Sequence, residues 1–417
     1  MQPSSRLMHD ARSSAITGRL ARLACGCLFV VIGVTPGCGN EGSGPAAAGS
    51  FDGLAERELV EAYRLGGPDA PEHVSFQSEP PVILDSARNL YVLHSQQGRI
   101  AVLDADGGLV RWIGGRGEGP GEFDAAVAMG FVGDTLWVRN SSSPRISRFL
   151  IDGTHVSTER TPFDFGYPMS WPQGVSGYLV GGRAWTDAHG FVMGQSGPVD
   201  MPVMVGDRQM SSADTLFTVP NPRGVLAGQA FAPFPQPPFV DVASDGTGIL
   251  LGEWSDVSPG QVRLRFFGPD AAEIRSWSLS VPEAAVPVPV RDSLISAGVT
   301  AVESMAVRLR KAGIPEGSFR ATISRSEVED EVYLPGHYPP IRRVLVGVDG
   351  TTWIQRMDRL RPGPWVALDT NGRPHFQVTL PEGVTLRQAS AGAVWGTVRD
   401  ELDVPYLVRW NLEDPAD

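Results

Sequence analysis

The residues of this chain that could do chemistry are few and far apart. The three cysteines, Cys25, Cys27 and Cys38, all lie in the first 38 positions. From residue 51 onward there is therefore no thiol to act as a nucleophile, close a disulfide or ligate zinc. The histidines past the N-terminus are His73, His94, His155, His189, His337 and His375, no two of them at a ligand spacing. The glycine-rich string GGRGEGPGEF at 114–123 puts Pro120 where a dinucleotide loop needs its third glycine, so it reads as a turn. No G-x-S-x-G elbow, H-E-x-x-H pair or Walker loop occurs. What remains is a scattered polar set: His94, Asn140, Arg183, Glu253, Trp254 and Arg356. These are side-chain types that line polar pockets, and the reason to group them lies in the elements that carry them.

Charge narrows the partners. With 35 basic against 47 acidic residues and a net charge of −12, the chain lacks the basic footprint that nucleic acid requires. Its 42% hydrophobic content is enough for a sizeable core, and 49 glycines with 35 prolines suit a protein of many tight turns.

The N-terminus has the form of an export signal. Arg6, Arg12, Arg19 and Arg22 precede an apolar run from Leu23 to Val34, too short to span a bilayer and suited to a signal core. It ends in Thr35-Pro36-Gly37-Cys38, which resembles a bacterial lipoprotein signal with Cys38 as the lipidated residue. The expected organisation is a signal peptide over 1–37, a flexible tether over 38–57 and a folded body over 58–417.

That body repeats. Leu90/Leu136, Tyr91/Trp137, Val92/Val138, Arg99/Arg145, Ile100/Ile146, Asp106/Asp152 and Gly107/Gly153 are each 46 positions apart. Each unit alternates short apolar strands with Asp, Gly and Asn turns, giving four strands per unit. Weaker copies occupy 174–219, 240–281, 344–380 and 386–412. Four-stranded units of this length stack radially, which predicts an all-β, six-bladed β-propeller, with seven blades the less favoured count. The last unit lacks a strand and Glu58–Leu65 lacks a unit, so this segment is expected to close the ring. Between the fourth and fifth units, residues 283–339 form an insertion. Leu294, Ile295, Val299, Val302, Met305 and Leu309 recur there at helical spacing, with Asp292 or Ser293 as cap. The helix is expected as a lid on the propeller or a docking helix. The acidic cluster Glu327, Glu329, Asp330 and Glu331 is expected in an irregular, solvated stretch.

The string at 114–123, with the Asp-x-x-x-Asn-Leu-Tyr-Val and Arg-Ile-x-Val-Leu-Asp-x-Asp-Gly patterns around it, resembles NHL-type six-bladed propellers. Together with the export signal, the chain is similar to bacterial six-bladed propeller lipoproteins. The resemblance implies a fold far more than a function.

Alignment of the units places His94, Asn140, Gly182, Glu253, Arg356 and Val398 at successive second-strand ends, with Arg183, Trp254 and Arg399 beside them. Loops after second strands and loops between units open on one face, so this set and the insertion are expected on the same rim. The favoured reading is a non-catalytic, monomeric, lipid-anchored scaffold in the periplasm or at the cell surface. It would bind a protein, peptide or glycan partner through that rim and need no cofactor. The alternative is a metal-dependent hydrolase or lyase, like the lactonase or amidating-lyase propellers, with His94, Asn140 and Glu253 holding a central divalent ion. Arg99 and Arg145 are expected to brace neighbouring turns, and Tyr91, Trp137, Trp353 and Trp395 to be core.

Overall fold

The computed structural model describes residues 46–140, 145–160, 178–180, 183–187, 200–206, 213–220, 225–226, 229–231, 233–270 and 272–414. The signal segment and Cys38 lie outside them. The chain folds as an all-β propeller whose sheets follow the sequence repeats. Sheet I comprises Val82–Leu84, Leu90–His94, Arg99–Leu103 and Leu109–Gly114. Sheet II comprises Ala126–Val132, Thr135–Asn140, Arg145–Leu150 and His155–Arg160. Sheet III comprises Tyr178–Val180, Arg183–Asp187, Asp200–Gly206 and Ala213–Pro220. Sheet IV comprises Phe239–Val242, Ile249–Trp254, Gln261–Phe267 and Glu273–Ser280. Sheet V comprises Ile341–Val346, Thr352–Asp358, Arg361–Leu368 and Pro374–Val378. Sheet VI comprises Thr385–Ser390, Ala393–Arg399 and Pro405–Glu413, and its fourth strand is Glu58–Gly66, antiparallel to Pro405–Glu413. The segment without a unit thus completes the unit without a strand.

The repeated aromatics do what the pattern predicts. Tyr91, Trp137, Trp353 and Trp395 are at most 2% exposed. Burying such rings between radial sheets is among the larger apolar gains available to a β fold. The Asp-Gly turns explain themselves: Asp104, for example, accepts the N–H groups of Asp106 and Gly108.

The expected six blades need correction. Among the described residues, five sheets join directly. Tyr91 of sheet I meets Phe131 of sheet II edge to face at 5.1 Å. Phe131 N–H donates to the Ser244 carbonyl of sheet IV at 2.7 Å. Val346 N–H of sheet V donates to Asp241 Oδ2 of sheet IV at 2.7 Å, and Val348 N–H donates to the Ala389 carbonyl of sheet VI at 2.8 Å. Gln388 of sheet VI donates to the Val82 carbonyl of sheet I at 3.2 Å, which closes the circuit. Sheet III lies with its first strand against that of sheet II and does not separate II from IV at Phe131. The turn after Val242 makes this approach possible, because Gly246 leaves room for the Phe131 carbonyl where a Cβ would stand 2.3 Å away.

The expected flexible tether is also corrected over its second half. Ala46–Gly49 pairs in parallel with the outer strand of sheet IV, and Ala55–Glu56 with that of sheet V. Between them Phe51 is buried in the core shared by sheets IV and V. An edge strand left open invites pairing with other chains, and this strap covers two such edges.

The insertion holds two helices, α1 (Val288–Lys311) and α2 (Arg325–Glu331). The N-cap position of helix α1 is Pro287, five or six residues before the expected Asp292 or Ser293, and Pro289 is accommodated in the first turn because its missing N–H would have no helical partner there. Asp292 instead pairs with Arg325 at 2.9 Å. The acidic stretch is helical rather than irregular. Ser324 and Glu327 form a capping box, and Arg320 binds Glu327 and Glu331 at 2.6 Å each. Ile295 and Val302 of α1 pack on Val328, Ile323 and Val332. Phe231, from the segment before sheet IV, also packs against this cluster, so the two helices form a small module together with that segment.

Two glycine substitutions test the contact between sheets II and IV. Gly133→Ala (φ 57°, open surroundings) is expected to cost about 1 kcal/mol from backbone strain alone. Gly246→Ala (φ 73°) adds a clash with the Phe131 backbone and is expected to cost roughly 2–4 kcal/mol in chemical denaturation. Equal losses would remove the proposed tight approach.

Candidate functional site

One rim of the propeller gathers second-strand ends, the segments that enter first strands, and the insertion. Contacts at three places show this. Asp256, just past the second strand of sheet IV, accepts the N–H groups of Gly336 and His337 and the His337 ring at 2.8 Å each, which pins the neck of the insertion. Arg145, at the start of a third strand, donates to the Glu118 carbonyl at 2.7 Å in the loop between sheets I and II. Glu79, just before sheet I, accepts from Thr397 at 2.9 Å at the far end of a second strand in sheet VI. Burial would raise the Asp256 and Glu79 carboxyl pKa values. Their donors outweigh it: the Gly336 and His337 groups on Asp256, and Thr397 with Arg387 on Glu79, hold both below the ordinary carboxylate range.

All the candidates from the repeat alignment except Arg183 sit on this rim, each bonded within its own stretch of it. His94 is buried, with its Nε2 3.0 Å from the His73 carbonyl and its ring against Trp112 and Phe76. A carbonyl only accepts, so Nε2 carries the proton. Burial, aided by nearby Arg99, lowers the ring's pKa against the raising effect of the His73 bond, so neutral imidazole is favoured. A shallow cavity lined by Phe76, Gln77, Pro81 and Gln97 opens beside it. Asn140 accepts from Ala125 N–H at 2.7 Å, which shapes the entry to sheet II. Glu253 lies 3.6 Å from Arg265 on the next strand out, and Trp254 donates to the Pro259 carbonyl at 3.0 Å. Arg356 turns toward the periphery, reaching Gln377 on the outer strand at 3.5 Å and covering Phe51 of the strap. Arg183 is a correction: it opens the second strand of sheet III (Arg183–Asp187) instead of following the end of one, so the alignment with the other candidates fails there, and its side chain lies outside the described residues. The other five share a rim, each held by neighbours in its own stretch. Second strands stand about 5 Å farther out than the first strands that line the axis. Among the described residues no group of three or more His, Cys, Asp and Glu could hold a metal ion.

The axis carries a different set that the alignment passes over. The first strand of sheet II opens Ala126-Val127-Ala128, but in the same register sheet V opens Ile341-Arg342-Arg343, and sheet VI contains Leu386-Arg387-Gln388. Arg387 donates to Thr397 at 2.9 Å and pairs with Glu79, which also meets Arg399 at 3.4 Å. Arg343 is within electrostatic reach of Asp241, Arg387 and Arg342 and stands 5.6 Å over the Trp365 ring. Desolvation pushes Asp241 up to about 7, against the Val346 N–H bond and the Arg343 charge. The sequence signal for this cluster is an arginine doublet inside a strand that should be apolar.

Fold and rim together define a β-propeller with a charged axial mouth. No family model matches the chain, and no curated protein matches it in sequence. Among solved structures, a protein of Bacteroides fragilis described as exported is 12% identical over 88% of this chain and 97% of its own, with a TM-score of 0.43. A DUF4221-family member from Bacteroides vulgatus is 9% identical over 87% and 100%, with a TM-score of 0.44. An inactive virginiamycin B lyase of Staphylococcus aureus, solved with quinupristin, is 10% identical over 85% and 99%, with a TM-score of 0.36. Likenesses this distant say nothing of what the chain binds. Among the described residues no helix is long and apolar enough to cross a membrane.

Asp241 yields a pH prediction. Its folded pKa of about 7 lies above the ordinary 3.8, so the folded state holds a proton that the unfolded chain releases. Its contribution is therefore fully favourable only below about pH 4 and declines as pH rises toward 7. A shift of about three units sets a ceiling near 4 kcal/mol, which screening at a half-buried site reduces to roughly 1–2 kcal/mol. Asp241→Asn should match the wild type near pH 4 and exceed its stability by that amount at pH 8 in paired denaturation curves. A constant difference across this range would reject the assignment.

Proposed function

We propose that the protein is an exported, lipid-anchored propeller that binds a protein, peptide or glycan partner through the insertion-bearing rim without transforming it. The observation that carries this reading is the construction of the insertion. Its helices pack on one another around a small core that Phe231 completes, and its neck is fastened to the rim through Asp256 by three charge-assisted hydrogen bonds. Each such bond is worth about 1.5–3 kcal/mol, so the module is held in a fixed position beside the axial mouth. A rigid projection over a rim of mixed polar side chains is suited to recognition. Exposed Val307 and Ile314 on and just after α1 supply apolar surface for it. The signal-like segment ending in Cys38 supports export and anchoring.

Two measurements test the reading. Replacing 288–334 with a short Gly-Ser linker, or substituting Val307→Asp with Ile314→Asp in the intact insertion, should leave the propeller's thermal transition in place. Either change should abolish crosslinking to envelope partners; undiminished crosslinking in the folded double variant would refute the rim as the binding face. Cys38→Ala should move the protein from the membrane fraction to the soluble exported fraction and eliminate lipid labelling. Unchanged membrane association would discard the anchor.

A further inference from the structure

The arginines at the axial mouth are an electrostatic anomaly. The protein as a whole carries a net charge of −12, yet Arg342, Arg343, Arg387 and Arg399 gather where first strands of sheets V and VI begin and a second strand ends. Glu79 and Asp241 stand among them, Glu79 is engaged by both Arg387 and Arg399, and Arg399 also pairs with the exposed Asp403 at 3.1 Å. Asp241 directs an oxygen to the Val346 N–H. Among the described residues neither the Arg342 nor the Arg343 guanidinium has a hydrogen-bonded partner, and both are half-buried. A guanidinium offers five donors. Placing two side by side on one strand, near a third, costs desolvation and like-charge repulsion that the Trp365 contact repays only in part. Backbone packing does not require them, since the stretch of sheet II in the same register, with its bulge at the same place, is Ala126-Val127-Ala128.

We infer that Arg342 and Arg343, with Arg387 beside them, form a binding site at the mouth of the propeller axis for an oxyanion, the carboxylate or phosphate group of a small or terminal ligand moiety. The inference rests on the reading of this rim as the binding face and gives its chemistry. Guanidinium forks match carboxylate and phosphate oxygens in pairs, so the two unpartnered side chains supply bidentate recognition. Arg387, held in place by Thr397 and Glu79, adds charge without having to be freed. The surrounding negative charge of the protein disfavours loosely held anions, so affinity comes from close contact in the mouth rather than from long-range attraction.

The test uses the full chain and two probes, inorganic phosphate and citrate, titrated by calorimetry at constant ionic strength set with sodium chloride. The expected result is saturable binding of at least one probe. Phosphate alone indicates a phosphate-bearing ligand and citrate alone a carboxylate-bearing one. Arg343→Gln and Arg342→Gln should each weaken binding by about tenfold or more, the loss of a bidentate charged contact. Arg343→Lys should weaken it less, and Arg263→Gln, on the outer part of sheet IV, should leave it unchanged. Circular dichroism confirms folding, and if one glutamine variant fails to fold the other carries the test. Absence of binding to both probes, or equal affinity in wild type and the folded Arg→Gln variants, overturns the site. If those variants still crosslink their envelope partner through the insertion, the anion site falls while the binding-scaffold reading stands.

Discussion

A single four-stranded sheet with apolar residues on both faces cannot cover itself, and everything else in this protein follows from that. Each large core is shared. One joins Leu250, Val262 and Trp277 of sheet IV to Ile341, Val344 and Val366 of sheet V. Others join sheets I and II, V and VI, and VI and I. No ring sheet has a core of its own, so stability depends on closure. Closure is made by pairing Glu58–Gly66 with Pro405–Glu413, which ties the two ends of the described chain in one ladder.

Polar side chains then join what apolar faces have stacked. The two arginines of the 46-residue repeat illustrate this. Arg145 donates to the carbonyls of Gly117 and Glu118, and Arg99 pairs with Glu72 while stacking 3.8 Å over Trp112. Both fasten the loop or segment that precedes their sheet. Asp349 does the same between sheets V and VI by accepting the Ala391 N–H at 2.7 Å. The strap from Ala46 to Arg57 extends the scheme to the outside, where Arg57 lies 4.1 Å over Phe376 and pairs with Asp414 at 3.0 Å.

The rim combines rigidity with an imbalance of charge. Its loops are fixed by bonds between sheets, and its insertion stands on a small core where Gly298 lets α1 approach Val328 and, from the segment before sheet IV, Phe231 closely. The axial mouth departs from the apolar logic of the other first strands. Four guanidiniums gather there, with Glu79 and Asp241 among them at partial burial and the exposed Asp403 on Arg399, a combination that packing alone does not select.

Much of this was legible in the sequence. The 46-residue offset, the buried second-strand aromatics, the Asp-Gly turns, the brace of Arg145 and the closing strand all follow from strand periodicity and turn chemistry. These are local properties that a linear pattern records. The helix of the insertion was legible for the same reason, although it begins before Asp292, at a Pro287 position that no capping side chain marks. What only the tertiary structure decided is which sheets touch, and what gathers where they touch. Gly246 admitting the Phe131 carbonyl, the strap from Ala46, the outward turn of Arg356, and the meeting of Arg343 with Asp241 and Arg387 join residues 44 to more than 300 positions apart. Repeat alignment identifies equivalent positions within units. It does not reveal distances between units, and those distances set the electrostatics of the mouth.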